Sequence, residues 1–124
     1  MTATEQKRTV VVGGAQLGPI QKADTREDVV FRMLSLLEDA SEQGCDFVVF
    51  PELALTTFFP RWHYEDQTEI DQWFETQMPT PETQPLFDRA GALDIAMSFG
   101  YAERTEAGKH FNTSVLTDRG GRII

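Results

Sequence analysis

The run Phe47-Val48-Val49-Phe50-Pro51-Glu52 constrains the fold of this chain more than any other stretch. Four apolar residues without polar alternation are the pattern of a strand buried on both faces, and such strands belong to parallel sheets flanked by helices. Proline cannot donate to a central ladder, so Pro51 marks the strand's end. Upstream, residues 9–12 form a β-branched run closed by Gly13 and Gly14, which predicts a first buried strand. Between the two runs, Asp24 and Thr25 offer side-chain oxygens to a helix start, and Thr25 with Asp28 approximates a capping box. Val29, Met33, Leu36, Leu37 and Ala40 then recur at helical spacing as far as Gln43, with Glu38, Asp39 and Glu42 on the other side. Gly44 suits a left-handed C-terminal cap. Strand, helix and strand in this order predict a βαβ unit with parallel strands and a right-handed connection. The fold class is α/β.

Residues 56–81 are irregular and aromatic, with Phe58, Phe59, Trp62, Tyr64, Trp73 and Phe74 set among acids and prolines. A long segment after a strand end is a common home for a binding loop, and a short helix is expected within it at 70–75. Pro81 and Pro85 suit a helix's first turn, after which Leu86, Phe87, Ala90 and Leu93 keep helical spacing. Residues 95–102 and 110–118 predict two strands joined by a polar turn at 104–109. A Gly120-Gly121 turn follows, and residues 122–124 begin a further apolar strand. Because chain ends normally lie in polar, exposed sequence, residues 1–124 are expected to be one domain cut short within a strand.

Charge and composition exclude several functions. A formal net charge of −9 with scattered Lys and Arg opposes binding to a phosphate backbone, so no nucleic-acid partner is expected. No apolar run approaches a membrane span, and residues 1–8 lack the apolar core of a signal peptide. A cytoplasmic protein without a membrane partner is expected. Cys45 is the only cysteine, which rules out an internal disulfide. His63 and His110 have no His or Cys neighbours at ligand spacing, so no metal site is expected. The stretch from Gly13 to Gly18 fails as a dinucleotide fingerprint, because Ala15 stands where a glycine must admit the pyrophosphate and Pro19 follows where a helix should open. No cofactor is expected.

Glu52 is the candidate catalytic residue. It lies just past the carboxyl end of a parallel strand, the edge where open α/β sheets bind ligands. Flanking Pro51, Leu53, Ala54 and Leu55 would partly desolvate it, and desolvation makes a carboxylate a better general base. The spacing alone also fits a solvated or capping glutamate in a loop. Phe58, Phe59, Trp62 and His63 could wall a pocket or pack the loop onto the body or a second subunit. Arg61 could meet a substrate carboxylate or stand exposed. Asn112, on a strand, is expected to be buried and to tie backbone near the site. Cys45 sits at the opposite end of its strand from Glu52 and reads as a small buried hydrophobe.

The ordered series from Phe47 to Pro60, continued through His63, resembles the first catalytic segment of the nitrilase superfamily of carbon-nitrogen hydrolases. Within it the series is most similar to N-carbamoyl-D-amino acid amidohydrolases. Gln16 with Gly18-Pro19-Ile20, Thr25-Arg26-Glu27, Met78-Pro79, Phe99-Gly100-Tyr101-Ala102-Glu103 and Phe111-Asn112-Thr113-Ser114 extend the resemblance over most of the chain. It implies the N-terminal part of a four-layer αββα sandwich, a homo-oligomer when complete, and hydrolysis of an N-carbamoyl-D-amino acid without cofactor. It also implies a glutamate, lysine and cysteine triad of which Glu52 is the glutamate; the other two members are not among these residues. A related amidase, nitrilase or β-ureidopropionase, or a non-catalytic fragment, is the alternative.

Overall fold

Thr25 and Asp28 do close a reciprocal capping box. The Thr25 hydroxyl accepts from the Asp28 amide at 3.1 Å and the Asp28 carboxylate accepts from the Thr25 amide at 2.9 Å. Two of the orphan amides of the helix start are thereby satisfied, and α1 (Arg26–Glu42) begins at that point. Gly44, with φ +77°, ends it in the left-handed region. In this computed structural model, which describes residues 8–124, the polar start read above lies outside the described residues except for Arg8.

Four strands form one sheet in the order β1 (Val12–Gly14), β2 (Phe47–Val49), β3 (Ala96–Arg104), β4 (His110–Leu116). The first three run parallel and β4 returns antiparallel to β3. Helices α2 (Gln67–Asp71) and α3 (Gln84–Ala92) complete the α/β fold, with a 3-10 turn at Phe59–Arg61. Pro85 stands in the first turn of α3, as its lack of an amide hydrogen favours. The main core lies between the helices α1 and α3 and one face of the sheet. Val29, Met33 and Leu37 of α1 and Leu86 and Phe87 of α3 meet Val48, Phe50, Met97, Phe99 and Val115 there. Burying side chains of this size stabilises by about 1.5–3 kcal/mol each.

The two leading strands differ from the sequence expectation. The first begins at Val12 rather than residue 9 and takes in both glycines, because its register is set by β2, with Val12 opposite Phe47 and Gly14 opposite Val49. It is also an edge strand, and Val10, Val11 and Val12 are exposed rather than buried. β2 is buried on one face only. Val48 is fully buried, whereas Val49 is 41% exposed, because helices cover one side of the sheet. Val12, Val49 and Leu116 share the other, open side.

The aromatic segment folds over the carboxyl end of β3 on that open side. Leu53, Phe59, Trp73 and Ala102 form a second buried cluster, with Trp62, Tyr64, Ile70 and Phe74 packed against it. The short helix lies at Gln67–Asp71 rather than 70–75 because Asp66 caps it, accepting from the Thr68 amide at 2.9 Å. Glu75 is not helical. Its amide donates to the Ala102 carbonyl and its carbonyl accepts from the Arg104 amide, and its buried carboxylate is paired with Arg26 of α1 at 2.8 Å. Among the described residues no helix is long and apolar enough to cross a membrane.

Candidate active site

Glu52 is placed by backbone bonds that continue past β2. The Phe50 amide donates to the Ser98 carbonyl at 2.8 Å, and the Gly100 amide donates to the Pro51 carbonyl at 3.1 Å. Pro51 supplies only an acceptor, so its missing amide hydrogen costs nothing there. The Ala54 amide then returns to the Gly100 carbonyl at 2.8 Å, and Glu52 and Leu53 arch across Gly100. A Cβ at position 100 would lie 2.9 Å from Glu52 Cα and from Leu53 N, so only glycine lets the turn sit this close. Leu53 itself has φ +46°, a costly conformation for a residue with a side chain. Its burial in the aromatic cluster holds it there. Gly100→Ala is expected to destabilise the fold by about 1–3 kcal/mol through this overlap. The measurement is the denaturation midpoint, and an unchanged midpoint would show that the turn yields freely.

The arch brings Glu52 to a cavity of about 400 Å³. Phe58, Phe59, Phe74, His110 and Asn112 wall it, and Asn112 Nδ2 donates to Glu52 Oε1 at 2.5 Å. A second cavity of about 150 Å³ lies between Glu52, Leu17, Ile20, Phe58 and Arg61. Two expectations fail here. Glu52 is exposed rather than partly desolvated, and Asn112 is exposed rather than buried, because both lie on the sheet's open side. Asn112 also bonds the glutamate side chain directly, not backbone.

Part of the aromatic loop borders the cavities and part of it packs onto the body. Phe59 walls the larger cavity and is also 5% exposed, stacked on Trp73 at 6.4 Å and tilted against Phe74 at 5.4 Å. Phe58 is 44% exposed and faces both cavities. Arg61 borders the smaller cavity while its Nε donates to the Phe58 carbonyl at 3.3 Å. Trp62 and His63 wall neither cavity; the Trp62 ring lies beneath the Lys22 ammonium at 4.2 Å. Cys45 precedes β2 at its other end and is half-buried rather than buried, beside Gly13 at the sheet edge.

The pairing of His110, on the cavity wall, with Asp71 was not legible in the sequence. His110 Nε2 lies 2.7 Å from Asp71 Oδ1, while Asp71 Oδ2 takes a bond from Arg104 at 2.9 Å. A hydrogen bond from the Gln67 amide, then those from His110 and Arg104, holds the Asp71 carboxyl below its ordinary value. The His110 ring packs edge-on against Phe74 at 4.7 Å. Nothing in the sequence pairs residues 39 positions apart, and His110 drew notice there only as a metal ligand without neighbours. Among the described residues no group of three His, Cys, Asp or Glu side chains could hold a metal ion.

The chain has relatives. The carbon-nitrogen hydrolase family matches residues 11–124. Among curated proteins the chain is similar to a cyanide hydratase of Aspergillus niger, 27% identical over 79% of this chain and 29% of that protein. It is also similar to an aliphatic nitrilase of Rhodococcus rhodochrous, 24% identical over 97% of this chain and 34% of that protein. The chain thus spans about a third of the length of the curated relatives it matches. Among solved structures, a carbon-nitrogen hydrolase from Helicobacter pylori G27 superposes with a TM-score of 0.71 at 18% identity, over 92% of this chain and 37% of that one. An N-terminal amidase with a Gln-Gly peptide superposes with a TM-score of 0.65 at 21% identity, over 91% and 26%. At these identities the superpositions carry the fold, an N-terminal part of the αββα sandwich.

Proposed function

This chain belongs to the carbon-nitrogen hydrolase family, and on that premise we propose that Glu52 is the general base of the whole protein, serving a cysteine nucleophile outside these 124 residues. The substrate in this reading is an N-carbamoyl-D-amino acid. Glu52 takes the thiol proton, and the thiolate adds to the carbamoyl carbon while a lysine, also outside these residues, stabilises the oxyanion. The proton passes to the departing nitrogen, which leaves as ammonia. Water then cleaves the S-thiocarbamate, freeing the thiol, and the released carbamic acid loses carbon dioxide to give the free D-amino acid. Residues 1–124 serve as the N-terminal portion of one hydrolase domain, in a cytoplasmic homo-oligomer that needs no cofactor.

The observation that supports this reading is the position of Glu52. Its carboxylate stands at the end of a parallel strand, beside a cavity of about 400 Å³ with aromatic walls. That size suits a small molecule rather than a polymer. Hydrolysis of a nitrile is the second reading, favoured by the names of the two curated relatives; another amidase or β-ureidopropionase shares the same base.

The test is ammonia release by the whole protein from N-carbamoyl-D-amino acids, their L-enantiomers, β-ureidopropionate, simple amides and aliphatic nitriles. The D-carbamoyl substrates are expected to give the highest kcat/KM. Turnover of nitriles or amides with no ureido cleavage would replace the first reading with the second.

A further inference from the structure

Glu52 has two carboxylate oxygens, and among the described residues only Oε1 is held by a side chain, at 2.5 Å from Asn112 Nδ2. We propose that Asn112 is the positioning residue of Glu52, fixing one oxygen so that Oε2 alone is presented to the reacting group. The inference rests on the reading of Glu52 as base.

Three features of the fold support it. The register of β4 on β3 sets Asn112 opposite Ala102, one residue pair beyond Gly100 on the same side of the sheet. Strand alternation puts Thr113 on the same face as Val115, which joins the helix-covered core, and leaves Asn112 and Ser114 on the open side. The Glu52 turn arches over Gly100 and so arrives at the strand face that carries the Asn112 amide. Ala102, the cross-strand partner, adds only a methyl group on that side.

The chemistry of the donor fits the task. A guanidinium or ammonium in this place would form an ion pair and suppress the carboxylate's basicity. A neutral amide fixes the oxygen with a hydrogen bond and leaves a base able to accept a proton. The backbone holds Glu52 Cα against Gly100, and Asn112 then fixes the far end of a side chain that would otherwise rotate freely. Control at both ends is what a base on an open sheet face needs, because misplacement by about 1 Å can cost about a hundredfold in rate.

A double-mutant cycle in the whole protein tests this, with steady-state kinetics on its fastest substrate. Asn112→Ala is expected to lower kcat about ten- to a hundredfold, with KM within about twofold of the parent and the thermal midpoint little changed. In a Glu52→Gln background the same change should cost less than about twofold, because the group it positions is gone. Asn112→Asp, of the same shape but without the donor, should lose at least as much kcat as Asn112→Ala, and it serves if the alanine variant folds poorly. Normal kcat in both Asn112 variants beside an inactive Glu52→Gln would overturn the positioning role alone. An effect on KM only would make Asn112 a substrate contact, and an undiminished loss in the Glu52→Gln background would show that it acts elsewhere; either result defeats the proposal. Normal turnover by Glu52→Gln would defeat the general-base reading itself, a separate outcome.

Discussion

Glu52→Gln in the whole protein is expected to lower turnover by at least about a hundredfold, the ordinary cost of removing a general base. Glutamine keeps the length and shape of the side chain and can still reach Asn112 through its amide oxygen. The arch over Gly100 is a backbone feature and should survive. Stability is therefore expected to change little, which separates loss of chemistry from loss of fold. The other acids near the cavity are poor substitutes. Asp71 is engaged by Gln67, His110 and Arg104, and Glu75 is buried against Arg26. Measured kcat with an unaltered thermal midpoint is the check, and near-normal kcat would remove Glu52 from the mechanism.

Made as these 124 residues alone, the chain is expected to hydrolyse no carbamoyl amino acid, amide or nitrile. Among the described residues no cysteine and no lysine lines the cavities beside Glu52, so the base has no thiol to activate there and no ammonium to hold the oxyanion. Cys45 lies at the other end of β2, beside Gly13, and Lys22 is spent over the Trp62 ring. Tyr101 offers no phenolate, since burial and then its hydrogen bond to Glu103 push its pKa up to about 12. Water attack assisted by Glu52 would lose the covalent route and the charge stabilisation together. The same 124 residues should also self-associate, because Val12, Val49 and Leu116 lie on an uncovered sheet face. Early elution in size-exclusion chromatography and dye binding would register this. Hydrolysis by a purified monomer of this length, unaffected by Glu52→Gln, would contradict the account of the site.

What could be read from the sequence was local. The Thr25 and Asp28 box, the α1 stripe, the Gly44 cap and the turn between β3 and β4 each depend on residues a few positions apart. Their periodicities decide the α/β class before any packing is known. Glu52 was legible for the same reason, as a carboxylate directly after an apolar strand. Its surroundings were not. Asn112 is 60 positions away and meets it only because β4 pairs with β3 in one register. Asp71 meets His110 only once the aromatic loop has folded back. The run from Phe47 to Phe50 suggested two covered faces, since four apolar residues cannot say which of them a helix will reach. Exposed Val49 beside buried Val48 records that limit.

The one-sided cover of the sheet gives the later part of β4 two kinds of position, with Val115 buried and Thr113 half-buried between exposed Asn112, Ser114 and Leu116. Changes at Val115 press on the core beneath the helices and should act on how much folded protein a cell accumulates. Changes at Asn112 or Ser114 fall on the open side, and on the proposed role of Asn112 those at that position should act on what each folded molecule accomplishes. On the proposed role of Asn112, inheritance of abundance and inheritance of catalytic rate then sit on neighbouring residues of one strand. Selection could retune chemistry on this strand at little cost to yield, and drift in yield need not disturb the chemistry.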